Sequence, residues 1–125
     1  MKPILSLGLL CLFLTGCAST SLTNLTPRQQ TRNANGLYPV EVMWDSRQAT
    51  IVTNTIKGFV VIGEDAYPLQ RSPMLPTRWE TFLPVPADKD QVNYRFRFDY
   101  QYVQIPTRRG GNVWSAPFQM QIVDR

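Results

Sequence analysis

The sequence predicts an all-β fold, a two-sheet antiparallel sandwich, on three observations. Val92, Tyr94, Phe96, Phe98, Tyr100 and Tyr102 alternate with Asn93, Arg95, Arg97, Asp99 and Gln101. This period of two sets an apolar face on a core and a polar face in water, whereas a helix would scatter the same residues around its circumference. The other apolar residues fall in short β-branched and aromatic runs of strand length, with no long helical pattern. The chain also carries 10 prolines, residues that belong to the edges and loops of sheets.

In chain order, Leu37 to Trp44 is rich in valine and aromatics, and Ala49 to Thr53 and Ile56 to Ile62 are β-branched runs with Asn54-Thr55 as a turn between them. Gly63-Glu64-Asp65 ends the third run. Trp79 to Val85 is joined to the long alternating strand by a polar hairpin, Ala87-Asp88-Lys89-Asp90, and Phe118, Met120 and Ile122 alternate with polar neighbours at the end. Six or seven short strands over residues 36–125 fit a sandwich of immunoglobulin-like architecture. The Cys-Trp-Cys spacing of antibody domains is absent, and a small β-barrel is the alternative.

A length of 125 residues allows one small domain and excludes a two-domain enzyme. The chain has no histidine, which excludes Ser-His-Asp, Cys-His and histidine-zinc chemistry. Met1-Lys2-Pro3 is a short positive start. The apolar run Ile4 to Leu14 that follows is too short to cross a bilayer of about 30 Å as a helix and reads as a signal segment. It ends in Leu14-Thr15-Gly16-Cys17, which resembles the lipobox of bacterial lipoproteins: apolar, small, small, cysteine. The resemblance implies cleavage before Cys17, a diacylglyceryl group on its thiol and residues 1–16 as the signal peptide; an ordinary secretory signal cut near Ala18-Ser19-Thr20 is the alternative. Two or three acyl chains, each methylene contributing about 0.8 kcal/mol, would hold the protein at a membrane. Ala18 and Ser19 after the cysteine, by resemblance to enterobacterial lipoproteins, imply the outer membrane as the destination in the cell envelope. Cys11 leaves with the signal, so no disulfide is expected. Loss of Lys2 lowers the formal charge from +4 to +3, a scattered bias that gives no reason to expect nucleic acid.

Residues 17–35 are mostly Ser, Thr, Asn, Gln and Arg, with Leu22 and Leu25 the only large apolar side chains, and read as a lipidated flexible tether. The alternative is that Leu22, Leu25 and Pro27 dock on the domain as an extra edge. The segment Arg78 to Val85 with Tyr94 to Phe98 resembles the Trp-containing hairpin of starch- and glycogen-binding sandwich modules, and the folded part resembles small lipoproteins of bacterial envelopes. Neither resemblance transfers chemistry. Glu64-Asp65 and Asp88/Asp90 fall in polar turns, no Asp-x-Asp-x-Asp-Gly loop occurs, and the serines have no activating base. No catalytic residue, cofactor or metal is therefore expected.

Binding residues are sought among aromatics and arginines. Trp44 and Trp79 lie in strong strand segments and read as core, while Trp114 follows Pro106 to Val113, a polar loop with Arg108 and Arg109. Arginine and tryptophan on a loop of a rigid sandwich form a candidate partner or ligand site, against a plain solvated hairpin tip. A second candidate is the proline-rich crossover from Tyr67 to Pro76, which holds Arg71 and equally serves to cover a sheet edge. The expected function is a non-catalytic, lipid-anchored interaction module of the envelope, with a protein partner, or a displayed carbohydrate-binding module with a glycan.

Overall fold

A computed structural model describes residues 20–46 and 48–124, with only the backbone given for Thr20 and Ser21. Ten strands follow one another: β1 (Thr20–Asn24), β2 (Gln29–Thr31), β3 (Leu37–Ser46), β4 (Ile51–Ile62), β5 (Asp65–Pro68), β6 (Gln70–Arg71), β7 (Arg78–Pro84), β8 (Gln91–Gln104), β9 (Thr107–Trp114) and β10 (Phe118–Val123). The smaller sheet has the order β1-β3-β7-β6 and the larger β2-β10-β8-β4-β5, with β9 also on β8. Leaving aside β2, which pairs parallel with β10, these are the A-B-E-D and G-F-C-C′ orders of immunoglobulin-like sandwiches, β8 standing in the place of strand F. The two sheets pack face to face and do not close, so the barrel alternative falls; the chain switches sheets at Leu69, between β5 and β6.

Alternation in β8 does what its period requires. Val92, Tyr94, Phe96 and Phe98 are buried on the inner face, opposite Val40, Val42, Trp44, Trp79 and Leu83 of the smaller sheet. Trp44 stacks on Phe98 with ring centroids 4.8 Å apart, and Trp79 meets the same ring edge-on at 5.5 Å. Burying such large side chains contributes about 1.5–3 kcal/mol each and makes this aromatic layer the centre of the core.

One long arm runs along the free edge of β8. β10 pairs with its first residues and β9 with its last, Arg97↔Trp114 through Gln104↔Thr107. Pro117 interrupts the arm, and Ser115 bridges the gap: its amide donates to Phe96 O at 2.9 Å, while its hydroxyl accepts from the Phe96 amide at 2.8 Å.

Three expectations require correction. Residues 51–62 form one strand instead of two runs joined by a turn at Asn54-Thr55. The ladder with β8 shifts between Val52 and Lys57, and the Thr55 hydroxyl spans the bulge by donating to Val52 O and accepting from the Gln101 amide at 2.9 Å. The tether expected over 17–35 is folded from Thr20 onward: β1 pairs antiparallel with β3, and β2 pairs parallel with β10. These edges need few apolar side chains because backbone bonds and polar pins hold them. Thr26, 7% exposed, donates to Glu41 O at 3.0 Å and accepts the Glu41 amide at 2.9 Å, and Asn24 donates to the Tyr94 hydroxyl at 2.9 Å. Docking of Leu22 against the core is the arrangement found. Cys17 and the signal segment lie outside the described residues. The third correction concerns the supposed loop 106–113, which is largely strand β9.

Candidate functional site

The outer face of the larger sheet carries an exposed tryptophan and a half-buried phenylalanine among cations, while Phe82, 65% exposed, lies on the smaller sheet. Backbone register places Phe59 of β4, Arg97 of β8 and Trp114 of β9 in one row across three strands, so their side chains share a face. The Arg97 guanidinium lies 4.6 Å from the Phe59 ring centre and 5.5 Å from that of Trp114, and Arg95 lies 4.7 Å from the Trp114 ring. Each such stacking contributes about 0.5–1 kcal/mol at an exposed site and, more to the point, fixes the rings and guanidinium groups in place. Trp114 nevertheless stays 42% exposed.

The next row holds Lys57, Asp99 and Asn112. Asp99 Oδ1 lies 3.3 Å from Arg97 Nε and is the one carboxylate among these rows, against the cations Lys57, Arg95 and Arg97. Beside them β8 and β10 present an amide strip, in which Gln119 and Asn93 pair across the strands at 3.3 Å. The face is thus positive and rich in donors.

Arg108 and Arg109 do not join Trp114. They sit at the far end of β9, opposite Val103 and Tyr102, six and five residues from it, a separation on the order of 20 Å along a strand. The residues between are ordered by ladder bonds, and Gly111 is there for closeness: a Cβ on it would lie 2.9 Å from the Tyr100 ring. Tyr67, on β5 opposite Val60 of β4, is half-buried against the core and is not part of an exposed loop.

Arg71 belongs to a different feature, a cleft of about 400 Å³ between the sheets at one end of the sandwich, walled by Trp44, Trp79, Ile51, Ile56 and Pro76. That volume suits a small ligand, but Arg71 occupies the wall as a brace. Its guanidinium lies 4.6 Å from the Trp79 ring centre and donates to Thr53 O at 3.0 Å, tying β6 to β4 across the gap. Trp44 and Trp79 are 3% and 5% exposed, as expected for core residues, so neither indole offers an open face there.

Compared with protein-family models, with curated proteins and with solved structures, the chain matches none. Function is therefore argued from this geometry.

Sequence reasoning found Trp114 but missed its partners. Arg95 and Arg97 were legible as outward residues of β8, and Phe59 as part of a β-branched run; only the three-strand register brings them together. Among the described residues no group of three Cys, Asp or Glu side chains converges as a metal site.

Proposed function

We propose that the protein is a non-catalytic interaction module of the bacterial cell envelope, held to a membrane, in the first instance the outer membrane, by lipid on Cys17. It engages a protein partner through the outer face of the larger sheet. The observation that carries this reading is the half-exposed Trp114 held between Arg95 and Arg97, in line with Phe59. Tryptophan and arginine are the residues that dominate interface energetics, and prior immobilisation removes part of the ordering cost of binding. The lipobox residues Leu14 to Cys17 support the anchor, and their resemblance to bacterial lipoproteins supports the location.

Crosslinking in intact envelopes followed by isolation of the protein tests the reading. A partner captured by the parent protein and lost in Trp114→Ala and Arg97→Ala, with folding unchanged, is the expected result. Capture that persists in both variants refutes the face as the contact. Labelled palmitate on the parent protein and not on Cys17→Ser checks the anchor.

A second reading, glycan binding, is favoured by the amide strip of Gln91, Asn93, Gln119 and Gln121, which continues the same face of β8 from Arg95 away from Trp114. Affinity electrophoresis in envelope polysaccharide separates the two. Retardation abolished by Trp114→Ala, with no protein captured, selects the glycan.

A further inference from the structure

Four of the large apolar side chains exposed on the surface gather at one end of the sandwich. Ile105, 89% exposed, and Val103, 43% exposed, lie at the tip of the β8–β9 hairpin; Met74 and Leu75, 86% and 46% exposed, lie in the connection between β6 and β7. Backbone bonds place these segments at the same end. The Val103 amide donates to Thr50 O beside the start of β4, and the Trp44 amide donates to Thr77 O beside the end of β3. The cleft between the sheets is bordered there by Ser46, Pro76 and Thr77 on one side and by Ala49 and Ile51 on the other.

The same end receives the chain from its amino terminus. Thr20 pairs with Ser46, the last residue of β3. Three residue steps separate Cys17 from Thr20, a span of at most about 11 Å for a fully extended chain. No long spacer intervenes.

We propose that this end is a membrane-seating surface, with Ile105, Val103, Met74 and Leu75 entering the interfacial zone of a phospholipid layer and Arg108 and Arg109 meeting its phosphates. Apolar tips flanked by arginine suit that boundary, where stems lie in the apolar layer and guanidinium groups reach the headgroups. Arg108 and Arg109 flank the tip directly, opposite Val103 and Tyr102; Asp45 is the carboxylate at this end among the described residues. The short link argues for lipid as the occupant, and to that extent the inference rests on the anchor at Cys17. Seating would fix the orientation of the domain, setting the strands steeply to the membrane and holding the outer face of the larger sheet toward neighbouring proteins.

Cys11 and Cys17 precede the described domain, so a cysteine introduced at 105 is the one thiol of the folded part. The lipidated full chain, spin-labelled at Ile105→Cys or, at the opposite end, Glu64→Cys, is reconstituted in vesicles of phosphatidylethanolamine and phosphatidylglycerol. Relaxation by oxygen and by a water-soluble nickel complex is then measured. Seating predicts that the label at 105 is several-fold less accessible to nickel than the label at 64 and more accessible to oxygen. Equal nickel access at both positions overturns the proposal, and so does a loss of both accessibilities at 105, which marks a protein contact. The acyl mass on Cys17, read from the same sample, separates the two ideas. An acylated protein with a wet label keeps the anchor and discards the seating; a shielded label at 105 on a chain left unacylated by Cys17→Ser and Cys11→Ser, so that 105 is its one thiol, does the reverse.

Discussion

Gly58→Ala is the sharpest test of the core described above. Gly58 lies in β4 opposite Phe98, and a Cβ added there would sit 2.6 Å from Phe98 Cε1, 3.0 Å from Cδ1 and 3.1 Å from Leu69 Cδ1. The ring cannot retreat. Behind it Trp44 stacks at 4.8 Å and Trp79 closes the edge at 5.5 Å, while the Leu69 amide donates a 2.8 Å hydrogen bond to Gly58 O. Overpacking of this kind costs about 1–3 kcal/mol, against which the reduced freedom of the unfolded chain returns about 0.4–1 kcal/mol. The clash therefore prevails, by about 1–2 kcal/mol. At about 4–8 °C per kcal/mol for a domain of this size, the melting temperature falls by roughly 5–15 °C. Near-ultraviolet circular dichroism is a suitable probe because Trp44 and Trp79 report on the same layer. Phe98→Leu, which withdraws the ring edge, should reduce the cost of Gly58→Ala, with a coupling of more than about 0.5 kcal/mol in a double-mutant cycle. An unchanged melting temperature for Gly58→Ala, or strict additivity with Phe98→Leu, would refute the packing argument.

Thr26→Val strands the Glu41 amide and carbonyl that the Thr26 hydroxyl serves; a loss of about 1–3 kcal/mol in urea unfolding is expected, with Thr26→Ser restoring most of it. Arg32 joins Asp90 and Asp124 and donates to Ala87 O and Lys89 O, so Arg32→Gln should lower the melting temperature and reduce its sensitivity to salt. The hydrogen bond to Asp124, then the charges of Asp124 and Asp90, hold the Arg32 guanidinium above its ordinary range despite partial desolvation. A raised folded-state value stabilises at every pH below the ordinary arginine range and is lost only as pH climbs through the raised one, so titration of Arg32 itself leaves stability level across neutral pH. Trp114→Ala should cost about 1 kcal/mol through lost stacking with Arg95 and Arg97, and Trp114→Phe less, measured by thermal unfolding.

Legibility followed the way each strand earns its place. β8, β3, β7 and β10 were readable because their side chains are sorted by face; Val92 to Phe98, Met120 and Ile122 of the sorted apolar sets are buried, while Tyr100, Tyr102 and Phe118 are half-buried. β1, β2 and β9 were not, since they lie at edges or extend past the smaller sheet, where backbone bonds suffice and side chains such as Arg108 or Gln29 stay polar. The proline at 117 concealed that β9 and β10 are halves of one arm. The candidate site was legible in its composition and not in its assembly. Nothing local relates residues 59, 97 and 114; a register shift of one residue would turn Arg97 inward and bring Phe96 to the surface.

Strand β8 is covered on both edges over nearly all its length, by β4 on one side and by β9 with β10 on the other. Amide hydrogens at its middle can exchange with solvent only when the larger sheet as a whole comes apart, whereas β1 and the two-residue β6 can open alone. The domain therefore has a rigid spine and a breathing rim. The rim strand β1 can loosen and close again while Arg95 and Arg97, which stand on the spine and stack on Trp114, keep their places.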